Sequence, residues 1–177
     1  MPFTPYHFGP SAAVALPLRK HLDVPVFVLA NVLIDLEPLI MMTFGIPGSL
    51  HPFFHTLIGW VLGGLLWGWL ALQLRGFFSI IMRFFKLEYA PKLKTMLLSG
   101  VLGFWFHVFV DAFMHADLKP FFPFAWNPLY QLINTGSLYA LTELFFLVAL
   151  GIYAMIIHVQ KRIKKNHDWR PNHRKCS

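Results

Sequence analysis

The 177-residue sequence predicts an all-α, polytopic membrane bundle of about four transmembrane helices, with a short N-terminal helix and one interfacial segment. Three observations lead there. Hydrophobic residues make up 56% of the chain and charged residues 13%, against roughly 45–50% and about 25% in soluble domains. Four apolar runs approach the ~20 residues that a helix needs to cross a bilayer. The lysines and arginines fall beside those runs and never inside them, which is where a topology signal belongs.

Taken in order, Pro10–Leu18 reads as a short helix opened by Ser11 and bent or ended by Pro17, too short to cross alone. The first span is Val24–Phe44, interrupted by Asn31, Asp35, Glu37 and Pro38. The second is Phe54–Leu74, where Gly59, Gly63, Gly64 and Gly68 permit close helix packing. Phe77–Phe85 is aromatic and amphipathic and suits the membrane interface. The third span is Thr95–Met114 and the fourth Leu138–His158. Residues 1–160 thus form one integral-membrane domain, and residues 161–177 a basic, solvated, mobile tail. No basic stretch precedes an apolar one at the N-terminus, so no cleavable signal peptide is expected.

The basic groups Arg19-Lys20, Arg75 to Lys94 and Lys161 to Lys165 alternate consistently across four crossings. The positive-inside rule places all three, and hence the C-terminus, in the cytoplasm. The net charge of +7 is therefore a topology signal, and nucleic acid is not expected as a main partner. Cys176 is the single cysteine, which excludes an intrachain disulfide and a CxxC metal site.

That topology gathers polar side chains on the non-cytoplasmic side. His107-x3-Asp111-x3-His115 steps along one side of a helix at the end of an apolar run. His51-x3-His55 repeats the four-residue step at the start of the second span. Asp35 and Glu37 approach from the first span, and Glu143 from the fourth. His7 reaches the same place if the short helix runs inward to Arg19-Lys20. Imidazole nitrogens and carboxylate oxygens are ligands for zinc or manganese. His107 and His115 are ~12 Å apart along a helix, so one or two ions spread along the face, with Asp111 able to bridge, are the expectation. A carboxylate in the bilayer costs ~2.5–3.5 kcal/mol on insertion scales; the spans hold no Lys or Arg, so bound cations or protonation must neutralise their acids. Lys119 and Asn127, in the proline- and aromatic-rich loop after Asp117, are candidates to meet a substrate. His158, His167 and His173 belong to the opposite side, as does His21.

An N-terminal Pro2-x4-His7, Leu33-Ile-Asp35-Leu-Glu37, His51-x3-His55-Thr56 and His107-x3-Asp111, followed by a Pro- and Phe-rich segment, resemble the YdjM-like (YbcI/YdjM) family of membrane-bound metal-dependent hydrolases. The resemblance runs to about Pro128. It implies His7, Asp35, His51, His55, His107 and Asp111 as metal-binding positions. It also implies a distant similarity to zinc-dependent phospholipase C and P1-type nucleases, helical phosphoesterases that use a His-x3-Asp element. The chain departs from that pattern after His51, where Pro-Phe-Phe stand in place of an arginine and a glycine.

The expected function is a membrane metal-dependent hydrolase, a phosphoesterase acting on a lipid or another amphiphile. Asp35, Asp111 and Glu143 are its candidate acid–base groups. The alternative is a non-enzymatic metal binder or a metal or proton transporter. The inner halves of the spans, near 62–72 and 96–105, offer almost no polar path for transport, and the surplus of carboxylates disfavours bis-histidine haem ligation.

Overall fold

The computed structural model describes residues 4–47, 53–124 and 126–168, and among them every regular element is helical. A 3₁₀ turn, Thr4–His7, leads into α1 (Phe8–Ala15). Next come α2 (Val24–Leu33), α3 (Leu36–Phe44), a second 3₁₀ turn at Phe53–His55, α4 (Leu57–Gln73) and α5 (Arg75–Phe84). Helices α6 (Leu93–Asp111) and α7 (Thr135–Asp168) complete the chain. Three stretches are long and apolar enough to span a membrane: Val24–Phe44, Leu93–Asp111 and the α7 segment Thr135–Lys165. A fourth arises when α4 and α5 are taken together, and these meet at a bend of 78°. The outward faces are greasy, with Leu62 and Leu66 of α4 and Leu147 and Leu150 of α7 more than half exposed, a surface suited to lipid and not to water.

The first span is broken, and Pro38 explains the break. Proline has no N–H to give and its ring clashes with the carbonyl four residues back, which here is Ile34. Helix α2 therefore ends at Leu33, and α3 restarts at Leu36 with Pro38 in its first turn, where proline is tolerated. Asp35 sits at the junction, buried to 7% exposure. Without the break, Asp35 would be one more mid-helix residue.

Helix α6 is the centre of the bundle, packed on α4 and α2. Glycines set the distances. A Cβ on Gly64 would lie 2.5 Å from the Val101 Cα, and one on Gly100 would overlap the Gly64 carbonyl. Backbones can approach this closely only where side chains are missing. Trp67 Nε1 donates to the Val26 carbonyl at 2.9 Å and ties α4 to α2. Ala30, Ile34, Phe104, Val108, Ala112 and Leu118 form the core directly beneath the polar cluster.

Helix α5 buries Phe78 and Met82 and carries Arg75 and Arg83 on an exposed face, the amphipathic segment that the sequence implies. Helix α7 packs on α1 through Ala149, Ile156 and Phe145. It differs from the expected Leu138–His158 by continuing to Asp168. Lys161, Arg162, Lys164 and Lys165 are good helix formers, and cations favour the last turns of a helix, so the basic segment extends the rod as far as it is described. Residues 169–177 of the expected mobile tail lie outside the described residues.

At the end of the bundle where α1 stops and α6 starts, Asp23 caps α2. Its Oδ1 accepts from Val26 N at 3.3 Å, and its own N–H donates to Ser99 Oγ at 2.7 Å. Burial raises the Asp23 carboxyl above its ordinary range, opposed by hydrogen bonds from Val26 and Tyr89. Burial also raises Tyr89, and the Asp23 charge adds to that. A raised carboxyl binds its proton more tightly in the folded chain, so it contributes less stability as pH climbs through the ordinary range to the raised value. Asp23→Asn keeps the cap and removes that cost; at neutral pH it should melt no lower than the native protein, and the difference should vanish in acid. Asp23→Ala should lose about 0.5–2 kcal/mol, the worth of an N-cap. Thermal unfolding in detergent at pH 4 and pH 7 checks both.

Candidate metal centre

At the other end of the bundle, Asp35, His55, His107 and Asp111 bring one ligand atom each to within 4.8 Å of one another, and all four residues are buried. They come from the break between α2 and α3, the 3₁₀ turn before α4, and the last two turns of α6. His107 and Asp111 share a face because they are four residues apart on a helix. His55 is fixed by Thr56, whose hydroxyl caps α4 at Gly59 N. Glu37 Oε2 accepts from Phe54 N at 2.9 Å and lies 3.9 Å from His55 Nδ1, joining α3 to that turn.

His7 supplies a fifth group from the start of α1, with Nε2 3.3 Å from Asp111 Oδ1. Its ring stacks on that of His107, centroids 4.2 Å apart. Asp111 is thus shared: Oδ1 meets His7, while Oδ2 lies 3.3 Å from His107 Nε2 and 3.9 Å from His115 Nε2. Asp35 Oδ1 is 3.2 Å from the same His107 nitrogen.

The Asn31 carbonyl orients His107. It lies 2.8 Å from His107 Nδ1, and a carbonyl only accepts, so a neutral ring carries its hydrogen on Nδ1 and presents the Nε2 lone pair to both carboxylates. This is the outer-shell support typical of histidine metal ligands. The donor spacing also fits an ion. Zinc bonds nitrogen and oxygen at about 2.0–2.2 Å in a tetrahedron, which separates its donors by roughly 3.4 Å, close to the 3.2 and 3.3 Å found here. His107 Nε2, His7 Nε2 and Asp111 Oδ1 are buried and close, yet none makes a hydrogen bond of acceptable geometry. Such groups are costly unless compensated, and a cation among them compensates all three.

The other residues expected at the site lie at its edge or away from it. Helix α6 stops at Asp111, so His115 rides on the following turn and not on the helix, with its side chain 14% exposed and still 3.9 Å from Asp111 Oδ2. Asn127 explains that turn: its Nδ2 donates to the Ala112 and His115 carbonyls at 2.9 and 3.1 Å, and its Oδ1 accepts from Leu129 N. The side-chain amide clamps the end of the helix. Lys119 is exposed on the same connection. Glu143 is exposed on α7, beside the buried Thr142, and is not brought into the cluster. His51 lies outside the described residues. Asn31, which stands one turn before Asp35 in the sequence as a possible supporting residue, does support the site, though through its backbone carbonyl; Tyr6 and Tyr139 lie beside it without having been expected.

No family model, curated protein or solved structure matches the chain.

Proposed function

We propose that the protein is a multi-pass membrane hydrolase that depends on a divalent metal, zinc first and manganese second, and cleaves a phosphoester of a lipid or other amphiphile. One observation carries the reading: donors from separate helices and turns converge on His107 Nε2, inside a bundle whose exterior is apolar. When bound, such an ion supplies Lewis-acid activation of water and neutralises charge on a phosphoryl oxygen. Asp35, His55, His107 and Asp111 hold it, and His7, stacked on His107, adds a donor beside Asp111 Oδ1. The Asn31 carbonyl keeps His107 in the tautomer that can bind. Asp35, with its side chain 9% exposed against 1% for Asp111, is the carboxylate placed to take a proton from water. The basic end, with Arg19, Lys20 and Lys92, faces the cytoplasm by the positive-inside rule, and the metal centre the opposite leaflet.

Asp111→Asn keeps the size of the side chain and removes the shared charge. With zinc or manganese supplied, it should lower hydrolysis of amphiphilic phosphodiester or phosphomonoester reporters by at least about 10²-fold, since it removes a metal-holding charge and outer-shell partners alone are worth roughly 10–100-fold. Equal, slow turnover by both proteins on every reporter would end the enzyme reading. Zinc or proton flux through liposomes, lost in His107→Ala, would put a transporter in its place.

A further inference from the structure

Helices α6 and α7 flank the metal centre but scarcely touch one another; α7 is held to the bundle by α1 and by the turn that carries His7. Between them runs an apolar groove of about 340 Å³, floored by Val14 of α1 and walled by Phe106 and Phe109 on one side and Leu141 and Phe145 on the other. Its volume is within the ~300–1,000 Å³ of ligand-binding clefts. At one end Val110, Leu138 and Thr142 also line a second, tighter crevice, whose remaining walls include His7, Tyr6 and Tyr139. That crevice is too tight for a water molecule, and His7 is in contact with Asp111.

We infer that this groove holds a hydrocarbon chain of the substrate, which enters sideways from the bilayer with its phosphate end toward His7. The inference rests on the hydrolase reading for the word substrate, but the site is defined by geometry alone. The groove is apolar along its length, and it shares Val110, Leu138 and Thr142 with the crevice that His7 lines, so one end of a chain lying in it comes up beside the metal centre. The narrow crevice between groove and metal centre makes α7 the gate. It scarcely packs on α6, so the crevice can widen on that side while the packing of α7 on α1 is kept. A water-borne substrate has no use for such a wall, whereas a chain already dissolved in the membrane reaches it by lateral diffusion.

An alkyl phosphate carrying a mid-chain diazirine tests this on the native full-length protein in nanodiscs, with cross-links mapped by mass spectrometry. Labels should concentrate on residues 106–113 and 138–145, above those on the lipid-facing surface of α4. Leu141→Trp, which fills the groove, should weaken that labelling at least about tenfold, the low end of what one misfitting group in an apolar pocket costs; its zinc content should not change. Leu147→Trp, on the exposed face of the same helix, should leave the labelling intact. Labels spread evenly around the bundle, or labelling unchanged in Leu141→Trp, would overturn the groove. The two ideas fail separately. Labelling in the groove without hydrolysis of any ester keeps the chain site and ends the enzyme; hydrolysis of short-chain esters without groove labelling does the reverse. If Leu141→Trp does not fold, the map of native cross-links decides alone.

Discussion

His107→Ala is expected to abolish metal retention, and with it any stabilisation by added zinc. The side chain lies within 3.2 Å of Asp35 Oδ1 and 3.3 Å of Asp111 Oδ2, and receives its orientation from the Asn31 carbonyl. Truncation removes a donor that faces both acids at these distances. In the native protein, zinc at a hundred times its Kd should raise stability by about 2.7 kcal/mol, and a chelator should cancel the gain. In the variant, neither should move the melting curve. The variant should also be less stable than the metal-free native chain, because removing one partner from a buried charged group costs ~3–5 kcal/mol. Elemental analysis of purified protein and thermal unfolding with and without chelator provide the two readouts. Asn31→Ala is the control: it loses the bond from Nδ2 to the Phe27 carbonyl but keeps the backbone oxygen that orients His107, so metal should stay. Equal zinc content in native protein and His107→Ala would remove the centre from consideration.

Gly100→Val should be strongly damaging although it lies away from the cluster. A Cβ there would overlap the Gly64 carbonyl, a main-chain atom of α4 that no rotamer change can clear. Overpacking usually costs ~1–3 kcal/mol, and a backbone obstacle puts this case at or beyond the upper end. Helices α4 and α6 would have to separate, carrying His55 away from His107 and Asp111. Gly151→Ala offers the contrast: nothing lies within 4 Å of the position for its added methyl, and replacing a mid-helix glycine by alanine gains up to about 1 kcal/mol. Monodispersity on gel filtration and melting in detergent should separate the two variants clearly. If Gly100→Val melts with the native protein, the close crossing of α4 and α6 is not what holds the bundle.

Much of this was legible in the sequence because membrane helices obey few rules. The apolar runs and flanking cations mark the spans, and the four-residue step from His107 to Asp111 survives as a shared helix face. An inward-running first helix is enough to bring His7 into reach. Other features escape for physical reasons. The Asn31 carbonyl is a backbone group, and backbone groups have no signature in a list of side chains. Glu143 cannot be phased from the sequence, since α7 is apolar nearly all round and only its packing on α1 selects the buried stripe through Leu138, Thr142 and Ala149. Asn127 reads like a substrate group in a loop, but loop asparagines serve helix ends as readily, and only the partners decide. The end of α6 at Asp111 is hidden because Ala112, Phe113 and Met114 continue the apolar pattern past the last helical turn.

The order in which the donors leave the ribosome matters as well. His7, Asp35 and His55 emerge early, whereas His107 and Asp111 arrive with a helix that follows some forty residues of further chain. An insertion intermediate lacking α6 has neither the imidazole at the focus nor the shared carboxylate beside it. On the metal-binding function proposed above, capture of an ion is a late event in biogenesis, and a cell starved of divalent metal should accumulate this protein inserted but unloaded, with Asp35 and Asp111 in its membrane core left for protons to quiet.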